Sequence, residues 1–115
     1  MILKYKKILT FFAHPDDETL AAGATINKLS RNGCHVYAAI PSTGINARKN
    51  ILNEETRDKN LLSLNKDTFK ALSIIGIKKS DIFLGDFDDN ELDKYTLLKL
   101  IHWIEKIINR IKPDA

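Results

Sequence analysis

The chain has little cysteine, no glycine-rich phosphate loop and no long apolar run. Cys34 is the single cysteine among 115 residues, so neither an internal disulfide nor a Cys-x-x-Cys metal site can form. The absence of Gly-x-Gly-x-x-Gly argues against dinucleotide binding. No apolar stretch approaches the ~20 residues that span a bilayer, and residues 8–13 are too short for a signal-peptide core. These absences predict a reducing, cytoplasmic setting with no membrane span.

The charge is not concentrated in any one segment. The 18 Lys and Arg residues and the 15 Asp and Glu residues give a net charge of +3, with the lysines scattered along the chain. Scattered lysines are typical of a solvated surface, so no nucleic-acid partner is predicted. With 43% hydrophobic residues, the chain resembles an ordinary globular protein, and its length allows one domain with one modest core.

Hydrophobic periodicity predicts alternating strands and helices. Strands are predicted over residues 7–12, 35–40 and 81–84. Helices are predicted over residues 19–32, about 53–75 and 97–111, with Gly33 and Gly76 ending the first two. Such βαβ units build a parallel sheet with right-handed crossovers, which places the carboxyl ends of the strands at one edge. The next element in this series should be a fourth strand, and the chain ends where it would begin.

The last helix has the clearest periodicity in the chain. Its apolar residues recur at steps of four and three, and we assign them all to the core: Leu97, Ile101, Ile104, Ile108 and Ile111, widened by Trp103 and Ile107. His102 falls outside this stripe, so we interpret it as a surface or boundary residue.

The most informative segment is Ala13-His14-Pro15-Asp16-Asp17-Glu18, directly after the first strand. An imidazole and a carboxylate three residues apart, His14 and Asp17, can reach one cation, and N plus O ligation suits zinc. Asp16 would then lie beside the metal. The alternative is ordinary helix-start chemistry, with Pro15 at the first helical position and acids in the first turn. Capping needs only one acid and leaves His14 unexplained, and open α/β sheets bind ligands at this edge.

These residues resemble the PIG-L/LmbE-like family of zinc-dependent N-deacetylases. The match comprises the first strand with residues 13–20, Gly23, Thr43-Gly44 and Lys112-Pro113-Asp114. Segments 43–48 and 86–93 look most like members associated with bacterial surface-polysaccharide and amino-sugar metabolism. The resemblance implies a Rossmann-like three-layer αβα fold with a parallel sheet. Residues 1–115 would form only the N-terminal portion of that single domain, truncated after about three strands and three helices.

The resemblance also implies a chemistry for the motif. His14 and Asp17 would bind Zn²⁺ and Asp16 would act as general base, removing the N-acetyl group from a small-molecule acetylated amino sugar or its conjugate. The family's third zinc ligand, a histidine after the fourth strand, would lie beyond Ala115, as would a further histidine that aids the chemistry. Two protein ligands hold zinc more weakly than three, so we expect the isolated chain to be weak or inactive.

Two loop residues are candidates for substrate binding. Arg48 could grip a phosphate or carboxylate bidentately, although a solvated loop arginine is the alternative. Asp89 follows the third strand, where turn formation is the alternative role. The position before it, often Pro in similar members, is Asp88 here and adds charge to this loop.

Two other classes of function remain open. A truncated or degenerate relative would bind without catalysing, or would serve as a partner subunit. An exposed sheet edge and the apolar stripe of the last helix would then favour self-association. A receiver-like phosphoacceptor domain has a similar length and a carboxylate pair for Mg²⁺ near the end of its first strand. It needs more strands than the three predicted here, however, and gives His14 no role.

Overall fold

A computed structural model of the chain describes residues 4–45, 54–88 and 91–115. Three parallel strands form one sheet in the order β1 (Lys7–Phe11), β2 (His35–Ser42) and β3 (Ile82–Phe87). They alternate with helices α1 (Asp17–Arg31), α2 (Glu54–Ile74) and α3 (Leu97–Ile111). Short 3₁₀ turns at Lys79–Asp81 and Leu92–Lys94 lead into β3 and α3. The predicted α/β class and the order of its elements are confirmed.

Both faces of the sheet are covered by helices. Side chains alternate along the central strand β2, so that Ile40 points to one face and Ala39 to the other. The first face packs against α1 and α2 through the buried Ile26 and Leu72. The second packs against α3 through Ile107. The chain therefore has the predicted three-layer αβα arrangement.

The assignment of the whole α3 stripe to the core is wrong. Ile107 and Ile111 are buried and Trp103 packs beside them, but Leu97 is 72% exposed and Ile108 is 42% exposed. At about 100° per residue, the buried row 103, 107 and 111 is rotated by about 80° from the centre of the predicted stripe. The α3 helix therefore contacts the sheet through one edge of its own apolar face, and not through the centre of that face. His102 lies on the exposed side, as predicted.

The carboxyl ends of β2 and β3 approach each other closely at Gly85. The strand register shifts between Ile40 and Ser42. A Cβ added at Gly85 would lie 2.8 Å from the Cα atom of Pro41 and would overlap the Pro41 carbonyl oxygen. Only a residue without a side chain therefore fits between the strands here.

Replacing Gly85 with Ala is expected to lower the free energy of unfolding by about 3 kcal/mol, because two backbones would have to move apart. Gly23→Ala in α1 is the matched control. Its new methyl group would meet only Thr19 Cγ2, at 3.8 Å, so we expect it to raise stability by about 0.5–1 kcal/mol. Urea denaturation of both variants measures the difference, and similar changes in the two would contradict the close strand contact.

The segment Asp114–Ala115 lies along the outer edge of β1. Ala115 N donates to Lys7 O at 3.4 Å and Leu9 N donates to Ala115 O at 2.9 Å, which is the pattern of a parallel ladder. The Asp114 carboxylate accepts hydrogen bonds from Lys6 N and Lys7 N, both at 2.8 Å. The outer edge of β1 is therefore paired at Lys7 and Leu9.

Hydrogen bonds from the backbone N–H groups of Lys7 and Lys6 lower the pKa of the Asp114 carboxyl group. A pKa lowered on folding stabilises the folded state above the unfolded-state value, about 3.9 for aspartate. That contribution is lost as the pH falls below this value and through the folded-state pKa. The amide shifts of Lys6 and Lys7 are therefore expected to titrate together with a midpoint below about 3.9. NMR from pH 7 to pH 2 measures this, with the amide of Phe12 as control. A midpoint at the ordinary value would contradict the contact.

Candidate active site

The motif leaves β1 at a point where the connections change sides of the sheet. The loop after Phe11 is tied to the end of β2, because Phe12 N donates to Ala39 O at 3.1 Å and Ser42 N donates to Ala13 O at 3.2 Å. The connection from β1 to β2 passes through α1 on one face, whereas the connection towards residues 114–115 passes through α3 on the other. Ligands of open α/β sheets bind at such switch points, at the carboxyl ends of the strands.

His14 and Asp17 converge at this position. His14 Nδ1 lies 3.3 Å from Asp17 Oδ2, which also accepts a hydrogen bond from His14 N at 3.3 Å. The two side chains are 38% and 42% exposed, so both can be reached from solvent. Ligand atoms about 2.0–2.1 Å from a tetrahedral ion lie about 3.3 Å apart. The spacing and the N plus O donor set therefore fit zinc.

Asp16 precedes α1 without capping it. Its backbone adopts φ 108° and ψ −33°, and its side chain makes no capping hydrogen bond. An N-cap residue usually has extended backbone and accepts a hydrogen bond from the first helical turn through its side chain. Pro15 lies two residues before the first helical residue. Pro15 is therefore not at the first helical position, and capping does not occupy the Asp16 carboxylate, although Asp17 and Glu18 do lie in the first turn of α1 as the helix-start alternative predicts.

A groove of about 320 Å³ runs between the motif and α2. Its wall includes Pro15, Asp16, Leu20, Leu64 and Thr68. This volume lies at the lower end of the range for small-molecule sites. The groove therefore gives a small ligand access to the Asp16 side of the motif.

The turn after β2, which contains Gly44, packs against the loop of the motif. Gly44 has φ 71°, and a Cβ at this position would lie 3.0 Å from Pro15 Cδ and 3.2 Å from Leu64 Cδ2. Positive φ and close packing both favour glycine here. The Thr43-Gly44 pair identified in the sequence thus packs directly against the motif loop.

Glu18 is a residue of this region to which the sequence analysis assigned no role. Its side chain is 1% exposed. Oε2 accepts a hydrogen bond from Asp16 N at 3.1 Å, and Oε1 accepts one from Thr19 Oγ1 at 3.0 Å. The available signal was a third consecutive acid, more than capping and metal binding require.

Asp88 is engaged within the fold. Its Oδ1 atom lies 2.9 Å from Arg57 Nη2 of α2, and its Oδ2 atom accepts a hydrogen bond from Tyr95 Oη at 2.9 Å. The charge that Asp88 adds to this loop is therefore paired with a guanidinium group of α2. Arg48 and Asp89 lie outside the described residues, so their substrate-binding roles stay predictions.

The other two histidines lie away from the motif. His35 begins β2 at the opposite end of the sheet, where its Nε2 atom is 2.7 Å from Asp81 Oδ2. His102 is exposed on α3. Across residues 4–45, 54–88 and 91–115, no three His, Cys, Asp or Glu side chains come together as a metal site. Nor is any helix in those ranges long and apolar enough to cross a membrane.

Comparisons with known proteins point to deacetylases. The family model PIG-L, described as GlcNAc-PI de-N-acetylase, matches residues 9–115. The protein named Probable N-acetyl-alpha-D-glucosaminyl L-malate deacetylase 2 from Bacillus cereus is 36% identical over 117 residues, which cover 95% of this chain and 49% of that protein. Uncharacterized deacetylase YaiS from Escherichia coli K12 is 33% identical over 61 residues, 53% of this chain and 33% of that protein.

A solved structure shows the same fold. The N,N'-diacetylchitobiose deacetylase from Pyrococcus horikoshii, complexed with its inhibitor MPG, superposes with a TM-score of 0.80 at 24% identity. The match covers 96% of this chain and 39% of that chain. The chain thus spans half or less of the length of these three proteins.

Proposed function

The chain belongs to the PIG-L family of deacetylases, and on this basis we propose that residues 1–115 are the N-terminal portion of one deacetylase domain. The domain removes the N-acetyl group from a small-molecule acetylated amino sugar or its conjugate. The observation that carries the proposal is the His14–Asp17 pair beside Asp16 at the carboxyl end of β1. Because the chain belongs to this family, we no longer consider the receiver-domain alternative. A receiver domain would give the His14–Asp17 pair no role.

His14 and Asp17 would hold zinc, together with a histidine after a fourth strand in the family pattern, at a position beyond Ala115. When bound, zinc supplies the Lewis acidity that polarises an amide carbonyl and makes water a stronger acid. The half-exposed side chains of His14 and Asp17 leave room for substrate and water on their solvent side.

Asp16 accepts the proton of the attacking water as general base. The water oxygen bonds to the acetyl carbon, the C–N bond breaks, and the products are acetate and a free amine. The departing amine takes up a proton, which we assign to the further histidine of the family pattern, also beyond Ala115. The sugar lies in the groove beside Asp16, against Leu64 and Thr68, with Arg48 and Asp89 as its proposed further contacts.

Release of acetate from N-acetylglucosamine and its conjugates tests the proposal. With two of three zinc ligands, the chain should hydrolyse these compounds slowly when zinc is added and not at all with a chelator. His14→Ala should abolish the activity, whereas His102→Ala, at an exposed position on α3, should preserve it. Hydrolysis that persists under chelation would contradict the metal assignment. A kcat typical of enzymes, about 10 s⁻¹, would contradict the inference that the zinc site of this chain lacks a third protein ligand.

A non-catalytic partner role is the second candidate, and the exposed side of α3 favours it. Leu97 and Leu98 are 72% and 59% exposed on this helix. We predict self-association at high concentration, which the double variant Leu97→Glu/Leu98→Glu should weaken about tenfold, or about 1.4 kcal/mol. Leu62→Glu on α2, 71% exposed, is the matched control. Sedimentation velocity measures association, and a chain that stays monomeric at millimolar concentration would refute the prediction.

A further inference from the structure

Asp16 has an unusual backbone conformation for its position. Among the described non-glycine residues, only Asp16 and Lys112 have positive φ angles. Lys112 ends α3 in the left-handed conformation, which is common at helix ends. Asp16, at φ 108° and ψ −33°, lies outside that region and at the start of a helix. Such strain persists only where surrounding contacts hold it.

The contacts of Glu18 supply that restraint. Its carboxylate is almost completely buried, and Oε2 accepts the N–H of Asp16 at 3.1 Å. On the other side, the Asp16 carbonyl accepts from Thr19 N and Leu20 N, both at 3.0 Å. The peptide groups on either side of the Asp16 Cα atom are thus both hydrogen-bonded. A solvent-exposed acid in the first turn would interact equally well with the helix dipole. The dipole therefore does not explain why Glu18 is buried.

We propose that Glu18 is a positioning residue that holds Asp16 in its positive-φ conformation and so sets the direction of the Asp16 carboxylate at the groove that Asp16 lines. This inference rests on the proposed function for the role of Asp16. Glu18 acts through a hydrogen bond to the backbone and does not touch the substrate. The amide oxygen of glutamine can accept the same hydrogen bond from Asp16 N. Glu18→Gln should therefore keep the Asp16 conformation, and Glu18→Ala should lose it.

The backbone of Asp16 can be measured directly by NMR. The one-bond coupling between Cα and Hα of Asp16, combined with the three-bond coupling between HN and Hα, reports the sign of φ, and we expect wild type and Glu18→Gln to give the value for positive φ. Glu18→Ala should give the value for negative φ. Glu55→Ala, at an exposed glutamate in the first turn of α2, is the control and should leave Asp16 unchanged. If Glu18→Ala destabilises the chain but leaves the Asp16 coupling at its wild-type value, Glu18 has only a structural role.

Stability provides a test that does not require Glu18→Ala to fold. Glycine adopts positive φ without strain and alanine does not. With Glu18 unchanged, the folding equilibrium constant of Asp16→Gly should therefore be about fivefold larger than that of Asp16→Ala. Equal constants would refute strain at Asp16. A folded Glu18→Gln with negative φ at Asp16 would refute the backbone hydrogen bond as the restraint.

Turnover separates this inference from the proposed function. In acetate release, Glu18→Ala should lower kcat about tenfold or more with KM within twofold, and Glu18→Gln should restore kcat. Unchanged kcat in Glu18→Ala would overturn the positioning role even if the chain is a deacetylase. Acetate release that is unchanged in Asp16→Asn would contradict the proposed function, while the coupling and stability measurements still decide the conformation of Asp16.

Discussion

Replacing Asp16 with Asn is expected to lower the rate of N-acetyl hydrolysis about 10²- to 10⁴-fold, the usual contribution of a general base. Asparagine has nearly the same size but cannot take a proton from water. The zinc affinity should stay within about threefold of wild type, since His14 and Asp17 are retained. Measurement of kcat, KM and zinc affinity on the same preparations tests all three expectations.

Asp67→Asn is the matched control for that experiment. Asp67 lies on α2 and lines the same groove as Asp16, so its substitution removes the same charge from the same space. We expect kcat to fall less than about threefold, because Asp67 is not at the motif. Equal losses in the two variants would show that the negative charge of the groove, and not a base at Asp16, supports the reaction.

Zinc affinity is expected to fall about 100-fold or more when either His14 or Asp17 is replaced with Ala. The loss of a direct ligand should exceed the 10- to 100-fold effect of losing the residues that orient ligands. Competition with a colorimetric chelator measures the affinity of each variant. The activity should fall in parallel, since both side chains are proposed to hold the same ion.

The chain offers a second His–Asp pair as a control. His35 Nε2 lies 2.7 Å from Asp81 Oδ2 at the other end of the sheet, so His35→Ala removes an imidazole from a comparable pair. Its zinc affinity should match that of wild type. If His35→Ala and His14→Ala weaken zinc binding equally, the motif is not the principal site.

The periodicity of the sequence predicts the three strands of the sheet and the three α-helices that cover it, but it ends two strands too early. The predicted ranges 35–40 and 81–84 stop at Ile40 and Leu84. In the structure β2 and β3 continue to Ser42 and Phe87, with Ser42 opposite Phe87. The local turn preference of Pro41 is outweighed because the register shift before Ser42 accommodates a proline in a paired strand.

The part of the candidate site that depends on residue types and strand order could be predicted from the sequence. A strand followed by His14 and Asp17, in a βαβ series, is sufficient to place an imidazole and a carboxylate together at one edge of a sheet. The burial of Glu18 and the ion pair between Asp88 and Arg57 depend on packing between segments that local patterns do not describe. The rotation of α3 has the same origin, because a helix that is apolar over most of its circumference does not specify which row meets the sheet.

The pairing of residues 114–115 with β1 has a consequence for synthesis of the chain. Asp114 contacts Lys7 across 107 positions, so β1 has no partner on its outer side until nearly all of this sequence has been translated. At about 5–20 residues per second, that interval lasts about 5–20 s on the ribosome. Once β1 and β2 have paired, the nascent chain presents an unpaired outer edge of β1 that can pair with other chains. Factors that shield nascent strands, or slow growth at low temperature, should therefore affect the yield of this protein more than its final stability.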